Sequence, residues 1–205
     1  MMRTEKRQIP GLIAPVVAVA LLGAGCADAG ADRPFTPRKA AAAPTTATSP
    51  AVTETIVVGP KTKVLVERPV ITDPRHAELL KAFTDIYAGM WRAVVTGDES
   101  YLERVADPGG RAAIGWVRGF EDRSVRGTAR VFAMNVTAVM DGGAEVSACV
   151  DETRLRLLSG RGGVAVPDQP GWTRAAYLQA MILSRGDDGI WRVKDFRHGK
   201  EGCAR

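Results

Sequence analysis

One apolar stripe constrains this chain more than any other feature. Leu79, Leu80, Phe83, Ile86, Tyr87, Met90, Trp91, Val94 and Val95 recur at three- and four-residue spacing, the period of one face of an α-helix. Thr72 or Asp73 can cap its start, with Pro74 in the first position, and Gly97 can end it. A stripe this wide has to be covered. Downstream, a short helix is expected with Tyr101, Leu102, Val105 and Ala106 inward, stopped at Asp107-Pro108-Gly109-Gly110, and a third helical segment over 111–122 carries Ile114, Trp116, Val117 and Phe120.

After Gly127 the period changes from helical to two. Residues 131–140 and 144–158 read as strands about the turn Asp141-Gly142-Gly143. Val146, Ala148 and Val150 then share one face, and Cys149, Asp151, Thr153, Leu155 and Leu157 the other. A Gly- and Pro-rich loop over 159–171 leads to strands at 172–184 and 190–197, joined by the tight turn Gly186-Asp187-Asp188-Gly189. Helices followed by four successive antiparallel strands make an α+β chain.

The first 25 residues read as an export signal. Arg3, Lys6 and Arg7 are followed by a mostly apolar run over 11–22, then Gly23, Ala24 and Gly25 before Cys26. The run is shorter than the roughly 20 residues a spanning helix needs, contains Pro15, and lacks a charged stop-transfer flank. Leu22-Gly23-Ala24-Gly25-Cys26 resembles the bacterial lipobox, although Gly23 stands where leucine is preferred. The expectation is lipidation at Cys26, with acyl chains such as palmitate anchoring the protein to the outer face of the cell membrane. Ordinary secretion is the competing reading. Three cysteines are an odd number for an exported chain. With Cys26 lipidated, Cys149 and Cys203 remain, and an oxidising compartment favours pairing them over leaving two buried thiols.

Residues 26–52, rich in Ala, Pro and Thr, cannot bury enough surface to offset the entropy of ordering them and read as a disordered tether. Residues 53–72 read as an extended arm that either adds an edge strand to the domain or lies over it: Ile56-Val57-Val58 and Val64-Leu65-Val66 are β-prone, and Pro60 and Pro69 interrupt them. Residues 73–205 form the α+β domain. Loss of residues 1–25 removes three basic residues and one acidic residue, leaving 25 and 22, a net charge of +3. The arginines are scattered among acids without a stripe, so a nucleic-acid partner is not expected.

The long helix ending Tyr87-Ala88-Gly89-Met90-Trp91, the Gly97-Asp98 turn with its short helix, and the last hairpin Ala180 to Val193 with Trp191 near its end together resemble the nuclear transport factor 2-like fold (NTF2-like; SnoaL-like, cystatin-like cone). The likeness covers about residues 73–205 and looks most like exported actinobacterial lipoproteins carrying such a domain. In those, a Cys-Val-Asp motif, here Cys149-Val150-Asp151, accompanies a cysteine near the C-terminus, here Cys203. The arm at 53–72 departs from that pattern. The resemblance implies a curved sheet folded around the long helix, with a concave interior that binds apolar molecules in the enzymes of the superfamily.

That resemblance supplies weak catalytic candidates: Asp151 or Asp195 as a base, and Tyr87 or Tyr177 as a donor to a developing oxyanion. Each has a plainer reading. Asp151 can cap or pair with Arg154, Asp195 can face solvent, and Tyr87 sits in the core stripe. Trp91, Trp116 and Phe132 are expected in the pocket wall. His76 and His198 are isolated, so no metal is expected, and without a phosphate-cradling Gly-rich loop or Gly-x-Ser-x-Gly elbow no cofactor is expected either. The leading expectation is a non-catalytic, lipid-anchored envelope protein whose domain binds a partner protein or a small apolar ligand. The alternative is a SnoaL- or ketosteroid-isomerase-type enzyme with an aspartate base. A hollow cone with converging aspartate and tyrosine would favour the enzyme, and a cone filled by Trp91, Trp116, Phe132 and Trp191 would oppose it.

Overall fold

The computed structural model describes residues 51–160 and 163–203. The proposed signal, the lipidation residue Cys26 and most of the tether lie outside them. Six strands form one sheet in the order of the chain: β1 (Ala51–Gly59), β2 (Thr62–Pro69), β3 (Ser124–Met140), β4 (Gly143–Leu158), β5 (Tyr177–Arg185) and β6 (Trp191–Gly202). All neighbours are antiparallel except β2 and β3, which run parallel, with Val64 opposite Ala129 and Val66 opposite Val131. The helices α1 (Pro74–Thr96) and α2 (Arg111–Arg118) and a 3-10 helix (Glu99–Arg104) lie between β2 and β3. The architecture is mixed α+β, one six-stranded sheet with few helices.

The start and stop of α1 follow from the residues at its ends. Asp73 accepts hydrogen bonds from the Arg75 and His76 backbone N–H groups at 2.8 and 3.4 Å, Pro74 opens the first turn, and Gly97 closes the helix at φ 79°. Eight of the nine stripe residues are buried, and Val95 packs at the margin. They meet the inward side chains of Val64, Val66, Val131, Val146, Val150, Met181 and Leu183, all at 0% exposure. A helix with one broad apolar face thus finds its cover in the concave side of the sheet.

The arm expected over 53–72 is a β-hairpin and an integral part of the sheet. Pro60 sits in its turn, where a missing N–H costs no ladder bond, and Val58, Val64 and Val66 enter the core. The sheet therefore has six strands, the four expected and two more from the arm, which was expected to add at most one edge strand. Leu102, expected inward, is 40% exposed, because the segment 99–104 winds as a 3-10 helix and turns only Tyr101 into the core. Trp172, expected in a strand, lies in a single 3-10 turn before β5.

A bulge in β4 changes which side chains face inward. Arg130 pairs with Asp151 and Thr128 with Arg154, so Glu152 and Thr153 together stand opposite Ala129. Before the bulge the even positions point to the concave side, ending at Glu152. Beyond it Leu155 and Leu157 do, in place of the outward position expected for them. Gly127, at φ +121°, lies against the Arg154 carbonyl, which a Cβ would strike. The glycine lets β3 close on the bulge.

Candidate functional site

Glu152 is 1% exposed and stands on the concave face beneath α1. Tyr87, from the helix stripe, donates its hydroxyl to Glu152 Oε1 at 2.6 Å. Tyr177, the first residue of β5, donates to Oε2 at 2.9 Å. Burial pushes the Glu152 carboxyl up to about 7 from its ordinary 4.5, and the two tyrosine donors offset only part of that. The Trp91 indole N–H adds a weaker lowering. It has no hydrogen-bond partner at bonding geometry, so its influence is that of a nearby dipole. Burial first, and the Glu152 charge second, raise both tyrosine hydroxyls well above their ordinary value. The tyrosines remain donors.

Beside this group opens a pocket of about 460 Å³ lined by Trp116, Gly171, Trp172, Ala175, Ala176, Tyr177 and His198. Its floor is an aromatic stack. The Trp116 and Trp91 rings meet edge-on at 4.9 Å, Phe120 lies 5.4 Å from Trp91, and Trp172 stands 5.9 Å from Trp91 and 6.1 Å from Phe120. His198 closes one side, edge-on to Tyr177 at 5.1 Å and Phe196 at 4.8 Å. His198 is exposed, yet its packing against Tyr177 and Phe196 desolvates the ring enough to lower the imidazole below its ordinary value. The neutral ring is favoured.

Gln179 belongs to the same neighbourhood. It follows Tyr177 by two positions on β5 and pairs directly with His198 on β6, so the three side chains share the concave face. Gln179 is 0% exposed, and neither its amide oxygen nor its amide nitrogen has a hydrogen-bond partner. A buried polar group left unpaired costs about 1–3 kcal/mol.

The four candidates named from sequence divide cleanly. Tyr87 and Tyr177 converge, but on Glu152 and not on an aspartate. Asp151 points to the opposite face, where Thr153 donates to it through backbone N–H and hydroxyl at 3.1 and 2.6 Å. Asp195 also lies on that face, opposite Ile182, and pairs with Arg197 at 2.6 Å. Trp116 borders the pocket and Trp91 lies beneath it. Phe132 does not reach it: it sits opposite Cys149 on the convex face, under the Arg130 guanidinium at 4.6 Å. The cone is thus partly filled, by Trp91 and Trp191 at 0% and 3% exposure, and partly hollow. Cys149 and Cys203 form a disulfide on the convex face, holding the end of β6 across β5 to β4. Among the described residues no cluster of His, Cys, Asp and Glu is arranged to hold a metal.

Sequence reasoning missed Glu152, Gln179, His198 and the pocket role of Trp172. The parity that put Val146, Ala148 and Val150 on one face reaches Glu152 one step later, so that residue was readable. His198 was placed beyond the last strand, which in fact runs to Gly202.

A buried carboxyl held by two tyrosines behind an aromatic pocket defines a sheet-and-helix domain with a ligand-sized concave site. No protein-family model matches the chain, and no curated protein matches it. Solved structures do. Aln2 from a Streptomyces species is 14% identical, with 63% of this chain and 93% of that one covered at a TM-score of 0.40. A ketosteroid isomerase-like protein from Erwinia carotovora atroseptica is 16% identical, with 62% and 96% covered at 0.44. ActVI-ORFA from Streptomyces coelicolor is 15% identical, with 58% and 95% covered at 0.40.

Proposed function

We propose that this protein is a lipid-anchored component of the cell envelope whose α+β domain is a binding module for a small, planar apolar ligand. The pocket carries the reading. Its wall offers the faces and edges of Trp116, Trp172, Tyr177 and His198, whereas the buried carboxyl stands behind Tyr177 with both oxygens already taken. Aromatic walls around a few hundred Å³ favour a ring compound through burial and edge contacts. The Ala/Pro/Thr-rich segment between Cys26 and β1 would then act as the tether. The test is an NMR titration of the full chain with indole and naphthalene derivatives. Binding should shift the Trp116 and Trp172 indole N–H resonances, and Trp172→Ala should weaken it about tenfold. Absence of any shift with every ring compound would remove the reading.

One observation favours a second reading, acid–base catalysis. A carboxyl pushed up to about 7 is poised to exchange a proton near neutral pH. Glu152 would be the base, and Tyr177 would have to swing aside to admit substrate. Deuterium exchange at the α-carbon of 2-tetralone, faster with the protein and lost in Glu152→Gln, would support it. No acceleration would leave binding alone.

A further inference from the structure

Gln179 poses a question that the pocket answers. Its side chain lies on the concave face, opposite His198 and two positions from Tyr177, both of which line the pocket. Both hydrogen-bonding atoms of its amide are fully buried and unpaired. Core positions are filled far more readily by leucine or methionine, and the inward residues that follow on the same strand, Met181 and Leu183, are apolar and fully buried. A carboxamide retained here presents one donor and one acceptor side by side.

We infer that Gln179 is the polar anchor of the pocket and that the ligand is an uncharged ring compound bearing a carboxamide or lactam. Such a group carries its own donor and acceptor side by side and can form a cyclic pair with the Gln179 amide. The ring then lies against Trp116 and Trp172. Gln179 is not itself a lining residue, so His198, which is exposed, has to turn aside to admit the ligand's polar group. Among the lining residues none is an aspartate, glutamate, lysine or arginine, which fits a neutral ligand better than a carboxylate or an amine. This inference rests on the binding reading above and sharpens it to a ligand class.

The experiment compares three probes with one ring: indole-3-carboxamide, 3-acetylindole and 3-ethylindole, titrated into the purified full chain. The carboxamide should bind at least about tenfold more tightly than the ethyl compound, with the ketone between them, since loss of a buried partner is strongly penalised. In Gln179→Met the three affinities should converge. A separate observation on the unaltered protein guards against a variant that fails to fold. The Gln179 side-chain NH₂ resonances should move with the carboxamide and stay in place with 3-ethylindole. Equal binding of all three probes would leave the pocket standing and overturn the anchor. NH₂ resonances that ignore the carboxamide would mean that a buried water alone serves Gln179, and would overturn it too. If none of the indoles binds, the pocket reading itself fails and the anchor falls with it.

Discussion

The Tyr87 hydroxyl meets Glu152 Oε1 at 2.6 Å across the interface between α1 and β4. This bond joins the helix stripe to the inside of the sheet through a buried carboxyl in a mostly apolar core. It is shorter than the matching bond from Tyr177, at 2.9 Å, and Tyr87 is 1% exposed. Helix and sheet are therefore locked in register by a carboxylate whose ionisation depends on both tyrosines.

Removing either hydroxyl should expose that dependence. Hydrogen bonds to charged groups contribute about 1.5–3 kcal/mol, so Tyr87→Phe should lower stability by about 2 kcal/mol at pH 8, where Glu152 is ionised. Tyr177→Phe should cost less. Urea denaturation at pH 8 and pH 5 checks the cause, because protonating Glu152 weakens it as an acceptor and should shrink both losses. Equal losses at the two pH values would show that the carboxylate charge is not what the tyrosines serve.

Glu152 should also make stability depend on pH. Its carboxyl titrates at about 7 in the folded protein against an ordinary 4.5, so between those values the folded state holds a proton that the unfolded state has lost. Stability from this group is greatest below 4.5, falls as pH rises towards 7, and is flat above it. The full difference is about 3 to 4 kcal/mol at roughly 1.4 kcal/mol per pH unit. His198 acts in the opposite sense, since its lowered value makes the folded state bind fewer protons just below 6.5. The comparison is therefore made between wild type and Glu152→Gln, in which the histidine contribution cancels. Denaturant midpoints at pH 4.5, 6 and 8 should decline in the wild type relative to the variant, and parallel curves would rule out the shift.

The framework of this fold was legible because it rests on local rules. The α1 stripe, its Asp73 cap and its Gly97 stop are each written in neighbouring residues, and the Asp188 turn, where Arg192 and the Ile190 backbone N–H bond the aspartate, is equally local. The site was less legible because its residues come from separate elements, Tyr87 from α1, Glu152 from β4 and Tyr177 from β5. Glu152 follows the parity of Val146, Ala148 and Val150, but nothing within residues 150–155 announces that Glu152 and Thr153 will share one partner, and that bulge is what turns Leu155 and Leu157 inward. Asp151 was the candidate, and its neighbour faces inward. The parallel pairing of β2 with β3 is non-local, and it is what joins the arm to the rest of the sheet.

Reduction of the Cys149–Cys203 bond should be felt at the pocket as well as in overall stability. The bond spans 54 residues, and closing a loop of that length stabilises by about 4 kcal/mol in the chain-entropy model. It also pins the β6 segment that follows His198. Cys203→Ser should lower the urea midpoint and alter the His198 ring resonances, while peptide mapping without reductant should recover the linked pair from wild type. An unchanged midpoint on reduction would mean that β6 is held by its ladder alone.

The proposed anchor yields the last prediction. No helix among the described residues is long and apolar enough to cross a membrane, and the attachment proposed above is assigned to Cys26. Each buried acyl CH₂ contributes about 0.8 kcal/mol, which makes one chain a marginal anchor and two or more a firm one. In a bacterial host the wild-type chain should incorporate labelled palmitate and sediment with membranes through a high-salt wash, since a lipid anchor is insensitive to the ionic screening that strips peripheral proteins. Cys26→Ala should take up no label and move to the soluble or secreted fraction, with the Cys149–Cys203 bond intact as a control for folding. A Cys26→Ala protein that sediments as before would assign the attachment to another part of the chain.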